Sequence, residues 1–201
     1  MTEDQARAWL DARYPSAVVA KLTAFATLLR TASESHSIIA RSTFDTILSR
    51  HIVDSAQLVA LGLDNGLWVD VGSGGGLPGL VVACIRPEPI LLVEPRRKRA
   101  DFLREAVAKL GLPHVDVAVA KAQQVDVIPS VVSARAVAAI DELFTWFVPI
   151  SPETKFVLPR GVSYQRDLDI AQRSWSGAFH VEHSIVEPAS GIVVASGVAP
   201  R

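Results

Sequence analysis

The apolar positions of this chain change their period near residue 62. Before it they recur every three or four residues; after it they come as short unbroken runs separated by glycines and further helical stretches. Thr2 and Gln5 have the spacing of a capping box, and Ala6, Trp9, Leu10 and Arg13 follow on one face up to Tyr14-Pro15, which predicts a first short helix. Pro15 opens a second, with Val18, Val19, Leu22, Phe25, Ala26 and Leu29 on one stripe ahead of the polar residues 31–35. Ser42 with Asp45 starts a third, whose apolar face is Phe44, Ile47, Leu48, Ile52, Ser55, Leu58 and Val59 and whose stop is Gly62. Residues 1–62 therefore read as a helical cap, too short and too one-sidedly apolar to be stable alone. They are expected to dock on an α/β unit spanning 63–201, the two forming a single structural domain.

Beyond the turn signal Asp64-Asn65-Gly66, strands and helices alternate. Leu67-Trp68-Val69 is a first strand, Leu80 to Ile85 a helix, and Ile90-Leu91-Leu92-Val93 a second strand. A helix opening at Arg96 points Phe102, Leu103, Ala106, Val107 and Leu110 at the sheet and ends at Gly111 and Pro113. Strands follow at 115–119, 131–133 and 155–158, with a helix through Leu143, Phe144 and Phe147 between the last two. Residues 181–186 and 191–195 form a terminal hairpin across the short connection 187–190. The sum is a Rossmann-like α/β fold, a seven-stranded sheet that is mostly parallel with an antiparallel C-terminal edge.

Composition narrows the class. The 201 residues are 49% hydrophobic and 20% charged, which suits one globular domain with a full core. Lys and Arg (20) nearly balance Asp and Glu (21), so there is no global pull toward nucleic acid, and any RNA contact has to come from a local basic patch. A single cysteine, Cys84, excludes an internal disulfide and a cysteine zinc cluster, and its apolar neighbours make it a small buried hydrophobe rather than a nucleophile. No metal is expected. Met1-Thr2-Glu3-Asp4 is acidic without a signal-peptide core, and no apolar run reaches the ~20 residues of a membrane span, so a cytoplasmic protein that avoids membranes, and a monomer, is the expectation.

The chemistry concentrates in Asp70-Val71-Gly72-Ser73-Gly74-Gly75-Gly76-Leu77-Pro78-Gly79. Five glycines within residues 72–79, directly after an apolar strand and before a helix, make a loop whose backbone can approach a ligand closely. Glu94, at the end of the second strand, stands where nucleotide-binding α/β folds put the acidic acceptor for a ribose. Gly74-Gly75-Gly76-Leu77-Pro78-Gly79 matches the dinucleotide pattern G-x-G-x-x-G literally, which leaves a nicotinamide or flavin ligand open. Yet the glycine next to the strand is Gly72, and Asp70-x-Gly72-x-Gly74-x-Gly76 resembles the first motif of class I S-adenosylmethionine-dependent methyltransferases instead. His51, near Asp54 and Ser55, reads as a helix-packing histidine bonded to a neighbour rather than a base. Arg96-Arg97-Lys98-Arg99 sets four cations against the dipole of a helix start, costing a few tenths of a kcal/mol each, which a phosphate-binding edge would offset.

Taken with Arg50-His51-Ile52-Val53-Asp54-Ser55 and Glu94-Pro95-Arg96-Arg97-Lys98-Arg99-Ala100-Asp101-Phe102-Leu103, the glycine stretch makes the chain similar, over nearly its whole length, to the glucose-inhibited division protein B family of bacterial 16S ribosomal RNA guanine-N7 methyltransferases. The resemblance implies S-adenosylmethionine as cofactor, S-adenosylhomocysteine as product, and a guanine in the 530 loop of 16S RNA, within the 30S subunit, as target. It implies cofactor contacts from Asp70, Gly72, Ser73, Gly74, Gly76 and Leu77, a ribose acceptor in Glu94, adenine contacts from Ala122 and Gln123, and a substrate-positioning Arg135 that also borders the cofactor. It places RNA contacts on Arg96, Arg97, Lys98, Arg99, Lys121 and Arg160. The chain departs from the family pattern at Ser37-Ile38-Ile39, where Asn-Leu-Thr is usual, at Gln123, where an acid is usual, and at Ser190-Gly191, where a basic pair is usual. A relative methylating a small molecule or another RNA, and a non-catalytic module binding S-adenosylmethionine or RNA, fit the same residues.

Overall fold

A computed structural model describes residues 1–36, 38–62, 65–149, 151 and 153–201, with nothing said of the side chains of 35 and 36. Ser37 and Asp64, which the sequence reading singled out, lie outside the described residues.

The cap opens as expected. In helix α1 (Glu3–Arg13) the Thr2 hydroxyl accepts from the Gln5 N–H at 3.2 Å and the Gln5 side chain accepts from the Thr2 N–H at 2.9 Å. Helix α2 (Ser16–His36) runs past Leu29 through the polar stretch expected to end it, because buried Ser33 satisfies its hydroxyl on the Leu29 carbonyl at 2.6 Å, one helical turn back. The third helix differs most. It begins at Arg41 with no side-chain cap from Ser42, and passes through a 3₁₀ stretch (Arg41–Thr46), a π-helical turn (Leu48–Val53), one α-turn, α3 (Asp54–Ala56), and a second 3₁₀ stretch (Gln57–Ala60). The cause lies in α1: the Glu3 carboxylate accepts from the Leu48 N–H at 3.0 Å and the Ser49 N–H at 2.8 Å, taking both donors out of the helical ladder.

The sheet is built from β1 (Trp68–Val71), β2 (Ile90–Val93), β3 (Val115–Ala118), β4 (Val131–Ala134), β5 (Lys155–Arg160), β6 (Trp175–His183) and β7 (Gly191–Pro200) in the order β3-β2-β1-β4-β5-β7-β6. The first five strands pair in parallel, and β7 runs antiparallel to both β5 and β6. The connecting helices are α4 (Gly79–Ile85), α5 (Arg97–Leu110) with a left-handed Gly111 cap, and α6 (Ile140–Phe147). A further helix, α7 (Tyr164–Ala171), falls in a stretch the sequence left unassigned. The terminal strands are longer than expected, since β6 starts six residues before 181 and carries a register shift between Ser176 and Ala178 that interrupts its alternation.

Two apolar layers flank the sheet. One joins Leu10, Leu22, Phe25 and Leu29 of the cap to Leu80 and Val82 of α4 and to Trp68, so the cap helices belong to the core that covers this face. The other packs Phe144 and Phe147 of α6 against Phe156, with Phe144 edge-on to Phe156 at 4.8 Å and to Trp175 at 5.7 Å. Cys84 is buried in the first layer, and burial pushes its thiol up to about 12. Among the described residues no helix is long and apolar enough to cross a membrane.

Candidate active site

The loop between β1 and α4 is fixed from below by Asp70. Asp70 is fully buried and is the register partner of Ser133 across the β1–β4 ladder. It accepts from the Ser133 hydroxyl at 2.7 Å and from the Gly79 N–H at 3.1 Å, and Ser133 in turn accepts from the Trp68 indole at 2.8 Å. Burial raises its carboxyl to about 6 against these bonds. The glycine of the Leu77-Pro78-Gly79 step has a steric reason: a Cβ there would stand 2.6 Å from the Asp70 carboxylate, so only glycine lets the start of α4 settle on it. Gly72 meets a constraint on the opposite side, with φ +63° and Val137 so close above that a Cβ would fall 2.5 Å from its methyl.

From above, the loop is held by Glu94. Its buried carboxylate accepts from the Gly74 N–H at 2.9 Å and from the Arg96 N–H at 2.8 Å. It is therefore a clasp on the glycine loop and, just ahead of α5, an anion at that helix's positive end. The basic run consequently does have a structural counterweight that its own composition does not show. A carboxylate has about four acceptor sites, so two remain beyond these two bonds.

A cavity of about 540 Å³ opens over this loop at the C-terminal edge of the sheet. Of the residues expected to hold the cofactor, Gly72, Ser73, Gly74, Leu77, Glu94, Ala122, Gln123 and Arg135 line it, while Asp70 and Gly76 do not. Asp70 lies beneath the loop, and its contribution is the loop's shape. Arg96, Arg99 and Lys121 form part of the wall, whereas Arg97 and Lys98 line a neighbouring groove between α2 and α5. Val137 and Trp146 also line the cavity, and so do Ile38 and Ile39 of the cap, in the segment that departs from the family pattern. Apolar walls, a backbone-lined floor, the Gln123 amide and a carboxylate with free lone pairs suit an adenosine with a charged tail.

A second cavity, of about 520 Å³, lies on the other side of Arg135 between the irregular cap helix and the ends of β4 and β5. Ser49, Arg50, Asp54, Arg160, Glu187 and Ser190 are among its walls, and Arg135 and Ala136 border both cavities. The chain turns there through Ala136, a non-glycine residue at φ 55°. That conformation costs about 1–2 kcal/mol and is held by the structure on either side of it. The Arg135 guanidinium faces the Asp54 carboxylate at 3.6 Å, and burial lowers its pKa while raising that of Asp54.

Arg160, in the wall of this second cavity, and His51, outside the walls of both, are each engaged within the fold. Arg160 donates to the Ala138 carbonyl at 2.7 Å and has its other two guanidinium nitrogens, Nε and Nη2, out of reach of solvent and without hydrogen-bond partners, so an RNA contact requires the side chain to turn outward. His51 bonds the Thr43 hydroxyl at 2.9 Å, as a packing histidine should, and burial with the nearby Arg135 and Arg50 lowers it to about 4, which leaves it neutral. Asp54, absent from the expected site, lies within residues 50–55, where nothing local marks it as the partner of a residue 81 positions away.

Comparison with known proteins agrees with this geometry. The fold resembles that of the O-methyltransferase TomG from Streptomyces achromogenes, solved with S-adenosylmethionine (TM-score 0.58, 15% identity, 92% of this chain and 90% of that one), and precorrin-6y C5,15-methyltransferase from Geobacter metallireducens (TM-score 0.55, 13% identity, 81% and 92%). The fold is therefore that of class I S-adenosylmethionine-dependent methyltransferases. In sequence, the chain is 43% identical to ribosomal RNA small subunit methyltransferase G of Sphingopyxis alaskensis, over 99% of this chain and 88% of that one. It is 42% identical to the protein of the same name from Rhizorhabdus wittichii, over 100% and 95%. The family model for rRNA small subunit methyltransferase G matches residues 18–191, and the chain belongs to that family.

Proposed function

We propose that this protein transfers a methyl group from S-adenosylmethionine to N7 of a guanine in the 530 loop of 16S RNA, acting on the 30S subunit or its RNA. The observation that carries this reading is the position of Arg135, a residue that borders both cavities, one suited to an adenosine and one open toward the basic and polar groups of the cap. S-adenosylmethionine, when bound, supplies an electrophilic methyl on a sulfonium.

Guanine N7 carries an in-plane lone pair and no proton, so attack on that methyl needs no base to remove one. Positioning alone is asked of the protein. The side chains around Arg135 fit that demand: His51 is neutral and engaged by Thr43, and Asp54 is turned to Arg135. The Arg135 guanidinium donates in a rigid fork, which suits guanine O6, the acceptor beside N7, or a flanking phosphate. Glu94 has lone pairs left for the ribose hydroxyls, Gln123 offers an amide to the adenine, and Arg96, Arg99 and Lys121 add positive charge at the rim.

The test is incubation of 30S subunits lacking the modification with enzyme and labelled cofactor, followed by nucleoside analysis. N7-methylguanosine is the expected product. Its absence under conditions where the cofactor binds overturns the assignment.

A further inference from the structure

We propose that Asp54 is a positioning residue that holds the Arg135 guanidinium at the junction of the two cavities, and that Gln57 and Ser184 hold Asp54 in turn. The inference rests on the reading of that junction given above.

Arg135 is the first residue after β4, on a loop that turns through a left-handed alanine, so its backbone alone leaves the long side chain free to choose between either cavity and solvent. Its ion-pair partner among the described residues is Asp54, with Nη1 3.6 Å from Oδ2. The other carboxylate oxygen, Oδ1, is anchored twice. It accepts from the Gln57 amide at 3.0 Å and from the Ser184 hydroxyl at 3.3 Å.

Those two anchors are themselves tied. The Gln57 amide also donates to the Ser184 hydroxyl at 3.2 Å, and its carbonyl accepts from the Ile185 N–H at 3.0 Å. Ser184 Oγ accepts further from the Val186 and Glu187 N–H groups at 3.2 and 3.3 Å. Val186 and Glu187 line the same cavity as Asp54. One network thus joins the cap, the β6–β7 connection and the guanidinium between the cavities. Removing the carboxylate leaves a largely buried cation without its counter-ion, which drives the guanidinium outward.

The test combines kinetics with structure. Turnover is read as total label transferred to 30S subunits, whatever the acceptor atom, for the wild type, Asp54→Ala, Asp54→Asn, Arg135→Ala and the Asp54→Ala, Arg135→Ala double variant. Asp54→Ala is expected to lower kcat by about 100-fold with cofactor affinity within about twofold of wild type, and the double variant to lose no more than Arg135→Ala alone. Asp54→Asn, which keeps an acceptor for Gln57 and Ser184, should recover part of the loss. Losses that multiply in the double variant, or an Asp54→Ala kcat equal to wild type, overturn the proposal. A crystal structure of Asp54→Ala decides independently of any substrate: a guanidinium displaced from the junction supports it, and one unmoved from its place refutes it. If the wild type transfers no label to 30S subunits, the ribosomal reading fails while this structural outcome still stands or falls alone.

Discussion

The two cavities that meet at Arg135 are built in different ways. The floor of the cavity over the glycine loop is one continuous segment, strand, loop and helix, in which the main constraints come from neighbours a few positions away or at the end of the adjoining strand. Gly79 is glycine because of Asp70, and Gly74 is held by Glu94 at the end of the next strand. The second cavity is assembled from residues near 50, 135, 160 and 190, brought together by the cap and the C-terminal edge, and its cap wall is a helix broken by a carboxylate from α1. On the proposed reading, a ligand shared by a whole fold class is met by a local motif, and a ligand particular to one family by tertiary packing.

Breaking the point of contact between the cavities should have the largest effect. Arg135→Ala is expected to lower turnover on 30S subunits by about 100-fold while cofactor affinity moves by less than about threefold, since a positioning contact is lost and the cofactor cradle is kept. Single-turnover label transfer and calorimetry separate the two, and an equal loss in both would return Arg135 to the cofactor side. Next in size is Glu94→Ala, expected to weaken S-adenosylmethionine binding by about 1.5–3 kcal/mol, the range for hydrogen bonds to a charged group. Calorimetry on the folded variant checks it; unchanged affinity removes Glu94 from the cofactor's contacts and leaves it as a loop clasp only.

The difference between the cavities also governs how much the sequence reveals. The parallel strands, α4, α5 with its Gly111 cap and the glycine loop follow from short-range rules, and the structure has them where those rules put them. The break in the third helix does not, because Glu3 acts on Leu48 and Ser49 from 45 and 46 residues away. Asp54 likewise looks like one polar residue on a helix until β4 brings Arg135 beside it. The early start of β6 was hidden by Gly177 and the register shift next to it, which spoil the alternation that marks a strand. Asp70, read as a cofactor contact from its place in the motif, is buried beneath the loop and does not line the cavity, a distinction that spacing cannot carry.

The basic run sharpens the comparison at smaller scale. All four basic residues line the groove beside α2, but only Arg96 and Arg99 also reach the cavity over the glycine loop, so reversal of Arg97 and Lys98 should touch RNA alone. Arg97→Glu with Lys98→Glu is expected to reduce RNA affinity at low salt by about tenfold and to flatten its salt dependence. Filter binding across a salt series reads both quantities. Affinity and slope equal to wild type would make these two residues a solvated face.

The smallest effect is one in which the two regions oppose each other. His51, in the cap, titrates near 4 in the fold, chiefly because burial disfavours its cation, against 6.5 in the open chain. The unfolded chain therefore binds its proton first as pH falls, and the stability His51 contributes rises with pH through that window. Asp70, beneath the glycine loop, is pushed by burial to about 6 from 3.8, and burial raises Asp54 as well. Here the fold binds the proton more tightly, so stability falls as pH climbs from 4 toward 6. With His51 set against Asp70, wild-type stability between pH 4 and 6.5 should change by only about 1 kcal/mol from these two groups. Urea unfolding read as a difference from wild type resolves the parts: Asp70→Asn should tilt the profile toward greater stability at higher pH, and His51→Gln toward greater stability at lower pH. Parallel profiles for the two variants would mean that neither ionisation is perturbed by its site, and that the burial of one in the cap and the other under the loop does not set their charge.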